Sequence, residues 1–282
     1  ANHISISIIM WFTVKWRPKL VFSLCKVKKL FSFGWKLLLS SLINVLYMDI
    51  RTLIIGRVYS PSTLGFYNRG EQFPKVIVSN IDGSIQSVIL PTLSAHQDNK
   101  KRVREMMRRA IKTSSFLIFP MMIGMSVVAE PLVKIVLTDK WLPAVPFLQI
   151  FCISYALITI HTANLQAINS MGRSDIFLKL EIIKKIVGLI ILGISLPFGV
   201  YAIALGQVFS GIVSTFINAY PNKQLLDYSY TEQWGDMMPS LLIAIIMGAI
   251  VYIFTYLNIG VWNMIVLQIL VGIIVYIGLA RM

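Results

Sequence analysis

Eight apolar runs separated by short polar connectors leave this chain few ways to fold. They occupy 37–55, 71–94, 114–137, 143–168, 180–197, 200–220, 238–257 and 261–280. Each is near the ~20 residues that carry a helix across a bilayer. Only helices or closed barrels satisfy the backbone in hydrocarbon, and runs this long are helical. With 56% hydrophobic residues, 13% charged residues and a mean hydropathy of +0.74, a water-soluble core is excluded. The expected fold class is an all-α integral membrane protein, a multi-span helical bundle. The apolar stretch at 1–14 is too short to span and reads as the end of a truncated transmembrane helix.

The chain carries 26 Lys and Arg against 12 Asp and Glu. In a soluble protein that excess points to nucleic acid; here the basic residues cluster between apolar runs, so it describes topology and no nucleic-acid partner is expected. If successive spans alternate, 20 of the 26 basic residues share one side of the membrane, the cytoplasmic side by the positive-inside rule. The basic stretches at 15–36 and 95–113 also carry apolar stripes, which predicts amphipathic helices lying on the membrane surface. Residues 221–236 read as a polar connector. Cys25 and Cys152 imply no disulfide framework, and His3, His96 and His161 have no metal-ligand spacing. There is no phosphate-cradling glycine loop and no nucleophile elbow, so neither an enzyme nor a cofactor is expected.

Within the second run, Gln72, Lys75, Ser79, Asp82 and Gln86 recur at spacings of three and four, one face of a helix. An embedded lysine or aspartate costs roughly 3 kcal/mol each, which a chain tolerates where the stripe faces a wet cavity. This helix is therefore expected to wall a solvated lumen. Asp49 and Arg51, two apart on the preceding helix, point to different faces and each needs a partner elsewhere. His161, Asn164 and Gln166 join the candidate pathway from a later run. The competing structural reading pairs Asp82 with Lys75 between packed helices and makes His161 a hydrogen-bonded packing residue. Arg57, Arg69 and Glu71 fall near the outer surface as solvated charges. Glu181 with Lys184 and Lys185 reads as pairing along one helix.

The residues from Asp49 through Gly56-Arg57, Leu64-Gly65-Phe66-Tyr67, Arg69 and Pro74 resemble the signature of the bacterial polysaccharide exporters related to Wzx. These are the lipopolysaccharide and teichuronic-acid export proteins of the multidrug/oligosaccharidyl-lipid/polysaccharide flippase superfamily. The 90–94 segment Leu-Pro-Thr-Leu-Ser and Trp141 are similar to that family too; Asn68 departs from it, where a small residue is common. The resemblance implies fourteen helices in two six-helix lobes plus two more, with alternating access through a cationic cavity in the inner membrane. On that mapping 1–14 ends helix six, 15–222 is the second lobe and 223–282 supplies the two additional helices. It implies as cargo an undecaprenyl-diphosphate-linked oligosaccharide, turned between leaflets during O-antigen, capsule or exopolysaccharide synthesis. It implies as partners a missing N-terminal lobe and glycan polymerase or assembly proteins. A drug or cation exporter of the same superfamily, and a membrane glycan polymerase or ligase, are the alternatives.

Overall fold

Serine, asparagine and proline at the predicted corners set where helices begin. In the computed structural model, which describes residues 10–14, 23–257 and 259–281, Ser60 accepts the Thr63 amide at 3.2 Å and Pro61 opens the next helix. Asn99 caps another through the Arg102 amide at 3.1 Å, and Ser229 forms a reciprocal capping box with Glu232. The resulting helices are α1 (Leu24–Val58), α2 (Pro61–Ser94), α3 (Lys100–Val127), α4 (Ala129–Leu137) and α5 (Val145–Ala156). They continue as α6 (Ile158–Ser170), α7 (Ser174–Ser195), α8 (Val200–Leu226), α9 (Tyr230–Ile253) and α10 (Val261–Ala280). Short 3-10 turns at Asp139–Ala144, Leu196–Phe198 and Phe254–Tyr256 join some of them.

The bundle is built around α5 and α6, one membrane crossing interrupted at Leu157. This broken helix touches α2, α3 and α8. Toward one end, Ile55, Tyr67, Val78, Phe147 and Phe151 form an apolar core; toward the other, Leu93, Val103, Met107, Ile111, Tyr228 and Met237 form a second. At the periphery α1 lies along α7, and α10 lies against α9 and α4. Small residues set the closest approaches. A β-carbon on Gly70 would sit 2.8 Å from the Leu148 nitrogen and 2.9 Å from the Ala144 oxygen, so α2 and α5 touch backbone to backbone.

Seven helical segments among the described residues are long and apolar enough to cross a membrane, α5 and α6 together being one of them. The eighth expected span, α7, is helical but carries Lys179, Glu181, Lys184 and Lys185 and is not among the seven. The expected surface helix at 95–113 is instead the first half of α3, running unbroken through Pro120 to Val127. Its Val103, Met107 and Ile111 are fully buried because α9 covers them. That span then breaks at Val128, before the short α4. The expected connector at 221–236 shrinks to Asp227–Ser229, since α8 continues through Pro221 to Leu226 and ends at Asp227 in the left-handed region (φ 51°). The described part of the 15–36 stretch is also no separate surface helix, because α1 runs from Leu24 straight into the span. The 1–14 span falls mostly outside the described residues, as do Lys15, Arg17, Lys19 and the Cys25 side chain.

Gly70→Ala forces α2 away from α5 and is expected to destabilise the protein by about 1–3 kcal/mol, the usual range for overpacking. Gly34→Ala, where nothing lies within 4 Å, is expected to leave stability unchanged or raise it. Thermal melts of the detergent-purified chain compare the two; equal midpoints would refute the backbone contact.

Candidate functional site

The polar groups inside the bundle collect at three levels. The first centres on Arg51, two turns before the end of α1 and only 5% exposed. Its Nη1 donates to Gln207 Oε1 on α8, and its Nη2 lies 3.5 Å from Glu71 Oε1 on α2. The guanidinium sits 5.9 Å from the ring centre of Tyr67, whose hydroxyl donates to Gln207 at 3.0 Å. Tyr155 on α5 donates to Glu71 at 3.0 Å. Four helices thus converge on one compensated charge pair. Glu71, expected as a solvated surface charge, is 8% exposed and belongs to this core. Its position was readable: 67, 71, 74 and 78 follow helical spacing, and Tyr67, Pro74 and Val78 are all buried. Nothing local marks Gln207 or Tyr155 as partners, because both contacts arise from tertiary packing. The Asp49 side chain lies outside the described residues.

The second level is the stripe on α2. Gln72, Lys75 and Ser79 are exposed, whereas Asp82 and Gln86 are half-buried. Lys75 stands one turn beyond Glu71 and has no ion-pair or hydrogen-bond partner among the described residues, so the expected Lys75–Asp82 pair does not form. Asp82 Oδ2 instead accepts from Gln86 Nε2 at 2.8 Å, and Gln86 Oε1 accepts from Gln166 Nε2 on α6 at 2.9 Å. Eleven residues of helix separate Glu71 from Asp82, roughly 16 Å, so Arg51 and Asp82 are distinct sites.

The third level ties α6, α8 and α9 together. Asn164, Asn222 and Gln233 are fully buried; Asn164 Oδ1 accepts from Asn222 Nδ2 at 2.7 Å, and Asn164 Nδ2 donates to Gln233 Oε1 at 2.8 Å. His161 Nδ1 lies 3.0 Å from Asn218 Nδ2. These hydrogen bonds run between helices, so Asn164 and His161 are each held by an amide on a neighbouring helix, while Asn218 Oδ1 and Asn222 Oδ1 are buried without a partner among the described residues. On α7 Glu181 pairs with Lys184 as expected; Lys185 turns instead to Asn44 Oδ1 at 2.6 Å and to the Tyr47 ring at 4.7 Å.

The signature residues build the α1–α2 corner. Gly56 lets Leu64 approach to 3.0 Å of a β-carbon position, and Gly65 faces Trp141. Arg57 is exposed, Tyr67 and Pro74 are buried, and exposed Arg69 lies 5.5 Å from the Trp141 ring while donating to Gln72 at 2.7 Å.

Residues 1–146 match the model of the family described as "Polysaccharide biosynthesis protein". The teichuronic acid biosynthesis protein TuaB of Bacillus subtilis (strain 168) is 31% identical over 61% of this chain and 36% of its own length. The lipopolysaccharide biosynthesis protein WzxC of Escherichia coli (strain K12) is 26% identical over 77% of this chain and 44% of its own. The fold matches that of the lipid II flippase MurJ in its inward closed conformation, with a TM-score of 0.75 at 17% identity, over 97% of this chain and 59% of MurJ. The chain spans less than half the length of these curated relatives.

Removing one partner of a buried ion pair strands the other, at about 3–5 kcal/mol. Glu71→Ala and Arg51→Ala are each expected to destabilise the protein by that order, and the double variant by less than their sum. Chemical denaturation of the four proteins in detergent gives the coupling; strict additivity would dissolve the pair.

Proposed function

We propose, starting from the fact that the chain belongs to the polysaccharide biosynthesis protein family, that it forms part of a transporter that flips lipid-linked oligosaccharide across the bacterial inner membrane. The cargo proposed is an undecaprenyl-diphosphate-linked oligosaccharide destined for a surface glycan. In this reading 15–222 serves as the second lobe and 223–282 supplies two additional helices. A first lobe completes the passage, basic connectors and the C-terminus face the cytoplasm, and glycan polymerase or assembly proteins take the product. The work is transport, with no covalent chemistry assigned to any residue.

The observation that carries the reading is the α2 face: a lysine and an aspartate on a helix apolar enough to span, with Lys75 uncompensated among the described residues. An uncompensated cation at that depth is suited to an anionic head group such as a diphosphate. Asp82, Gln86 and Gln166 continue the polar surface toward the far end of α2 and supply carboxylate and amide groups for sugar hydroxyls. Arg51 has a different part here. Its charge is offset by Glu71, which suits it to fasten α1, α2 and α8 rather than to seize phosphate directly. The family and the names of TuaB and WzxC support a part in glycan biosynthesis, and the fold shared with the lipid II flippase MurJ supports transport over the alternatives of a drug or cation exporter and a membrane glycan polymerase or ligase.

In cells whose surface glycan depends on the protein, Lys75→Ala and Asp82→Ala are expected to reduce surface glycan about tenfold or more while membrane insertion stays normal. Single cysteines at 75, 79, 82 and 86 should react with a membrane-impermeant thiol reagent, 75 and 79 fastest. Wild-type glycan in both variants, or uniform failure to label, would remove the passage. Cationic-dye efflux that disappears in the same variants would favour the exporter.

A further inference from the structure

Along α3 the basic residues divide into two sets with different fates. Arg104, Arg108 and Lys112, four apart, face α9, where Arg104 meets Glu232 at 2.7 Å. Arg108 and Lys112 meet Asp236 at 2.5 and 3.2 Å. Arg102 and Arg109, seven apart, lie on another side of α3 and have no carboxylate within ion-pair distance among the described residues. With Thr92, His96, Lys101 and Glu105 they line an open cleft of about 630 Å3 between the end of α2 and the start of α3. A single carboxylate against three basic side chains leaves the cleft with a net positive charge.

The cleft does not end in water. Thr92, Met106 and Arg109 also border a second space of about 430 Å3, an apolar groove running between α2 and α3 past Val88, Ile89 and Ala110 to Ser84. None of Gln72, Lys75, Ser79, Asp82 or Gln86 lines it, and Ser84 and Val88 lie nearly opposite Asp82 and Gln86 around α2, so this groove is distinct from the polar stripe. From 84 to 92 it follows eight residues of helix, ~12 Å, close to the ~15 Å hydrocarbon depth of one leaflet. Positive charge at the mouth and an apolar groove of nearly one leaflet's length are the two halves of a lipid site. Arginine is suited to the mouth because its planar fork meets phosphate oxygens in pairs.

We propose that the α2–α3 groove holds an anionic glycerophospholipid, its phosphate against Arg102 and Arg109 and one acyl chain along α2 from Thr92 to Ser84. The charge of the cleft selects an anionic head group over a zwitterionic one. The groove's length of ~12 Å, within one leaflet, selects an acyl chain over a long polyprenyl chain. The site opens on the α3 flank of α2, beside the face that carries the proposed glycan passage, and does not depend on it.

The test uses the purified chain in nanodiscs of equal phosphatidylglycerol and phosphatidylcholine, released into a native mass spectrometer. Wild type should retain phosphatidylglycerol in preference, and R102Q/R109Q should lower that preference about tenfold. K223Q/R281Q, which removes two basic residues elsewhere, should match wild type. A phosphatidylglycerol carrying a photoreactive acyl chain should label peptides containing Val88, Ile89 or Met106, a readout that needs no variant. Equal retention of the two lipids, unchanged preference in R102Q/R109Q, or labelling confined to other helices would overturn the proposal. Labelling of the groove by a photoreactive polyprenyl phosphate that excess phosphatidylglycerol cannot displace would assign it to a carrier lipid instead.

Discussion

A buried guanidinium in a membrane protein must find its counter-charge within the protein, and the position of Arg51 organises the end of this bundle where α1 meets α2. At 5% exposure it is shielded from solvent, and Glu71, Gln207 and Tyr67 come to it from α2 and α8. Bringing Glu71 inward sets the rotation of α2 about its own axis. Tyr155 then satisfies the same carboxylate from α5, and Tyr67 packs edge-on against Phe147 and Phe151. The close backbone contact at Gly70 follows from that rotation, since the face that presents Glu71 also presents its neighbour. One electrostatic requirement therefore fixes how four helices meet.

At the opposite end acids on α9 do the equivalent work for α3. Glu232 and Asp236 draw Arg104, Arg108 and Lys112 against α9, with Tyr228 donating to Asp236 at 2.8 Å. Pairing of this kind lets a strongly basic segment continue as helix into an apolar one, and it buries Val103, Met107 and Ile111 on the way. Between the two ends, neutral amides replace charges. Asn164 stands at the centre, accepting from Asn222 and donating to Gln233, and links three helices with no ion among them.

Much of this architecture was legible in the residues. Apolar runs near the length of a membrane crossing gave the helices, and Ser60-Pro61 gave a corner that stands where it was read. The stripe of Gln72, Lys75, Ser79, Asp82 and Gln86 does share one side of α2. What local spacing could not supply was anything depending on a distant partner. The stretch at 95–113 looked like a surface helix because its acids lie about 130 positions later, on α9. Glu71 looked solvated because Tyr155 and Arg51 become its neighbours only after folding. The break at Val128 and the prolongation of α8 through Pro221 depend on how neighbours cover the backbone, which no window of residues records.

α1 is joined to its neighbours unevenly. Along its middle it is clasped to α7, by Lys185 on Asn44 and by Tyr47 seated over Gly188, where a β-carbon would come within 2.6 Å of the hydroxyl. Toward its final turns it meets α2 and α8 through Arg51. Toward its beginning, Leu30, Phe31 and Leu38 stay uncovered. A rod clamped along one side, pinned near its tip and loose at its foot behaves as a splint on α7. A tilt of α7 would therefore carry α1 with it, pivoting about the pinned tip.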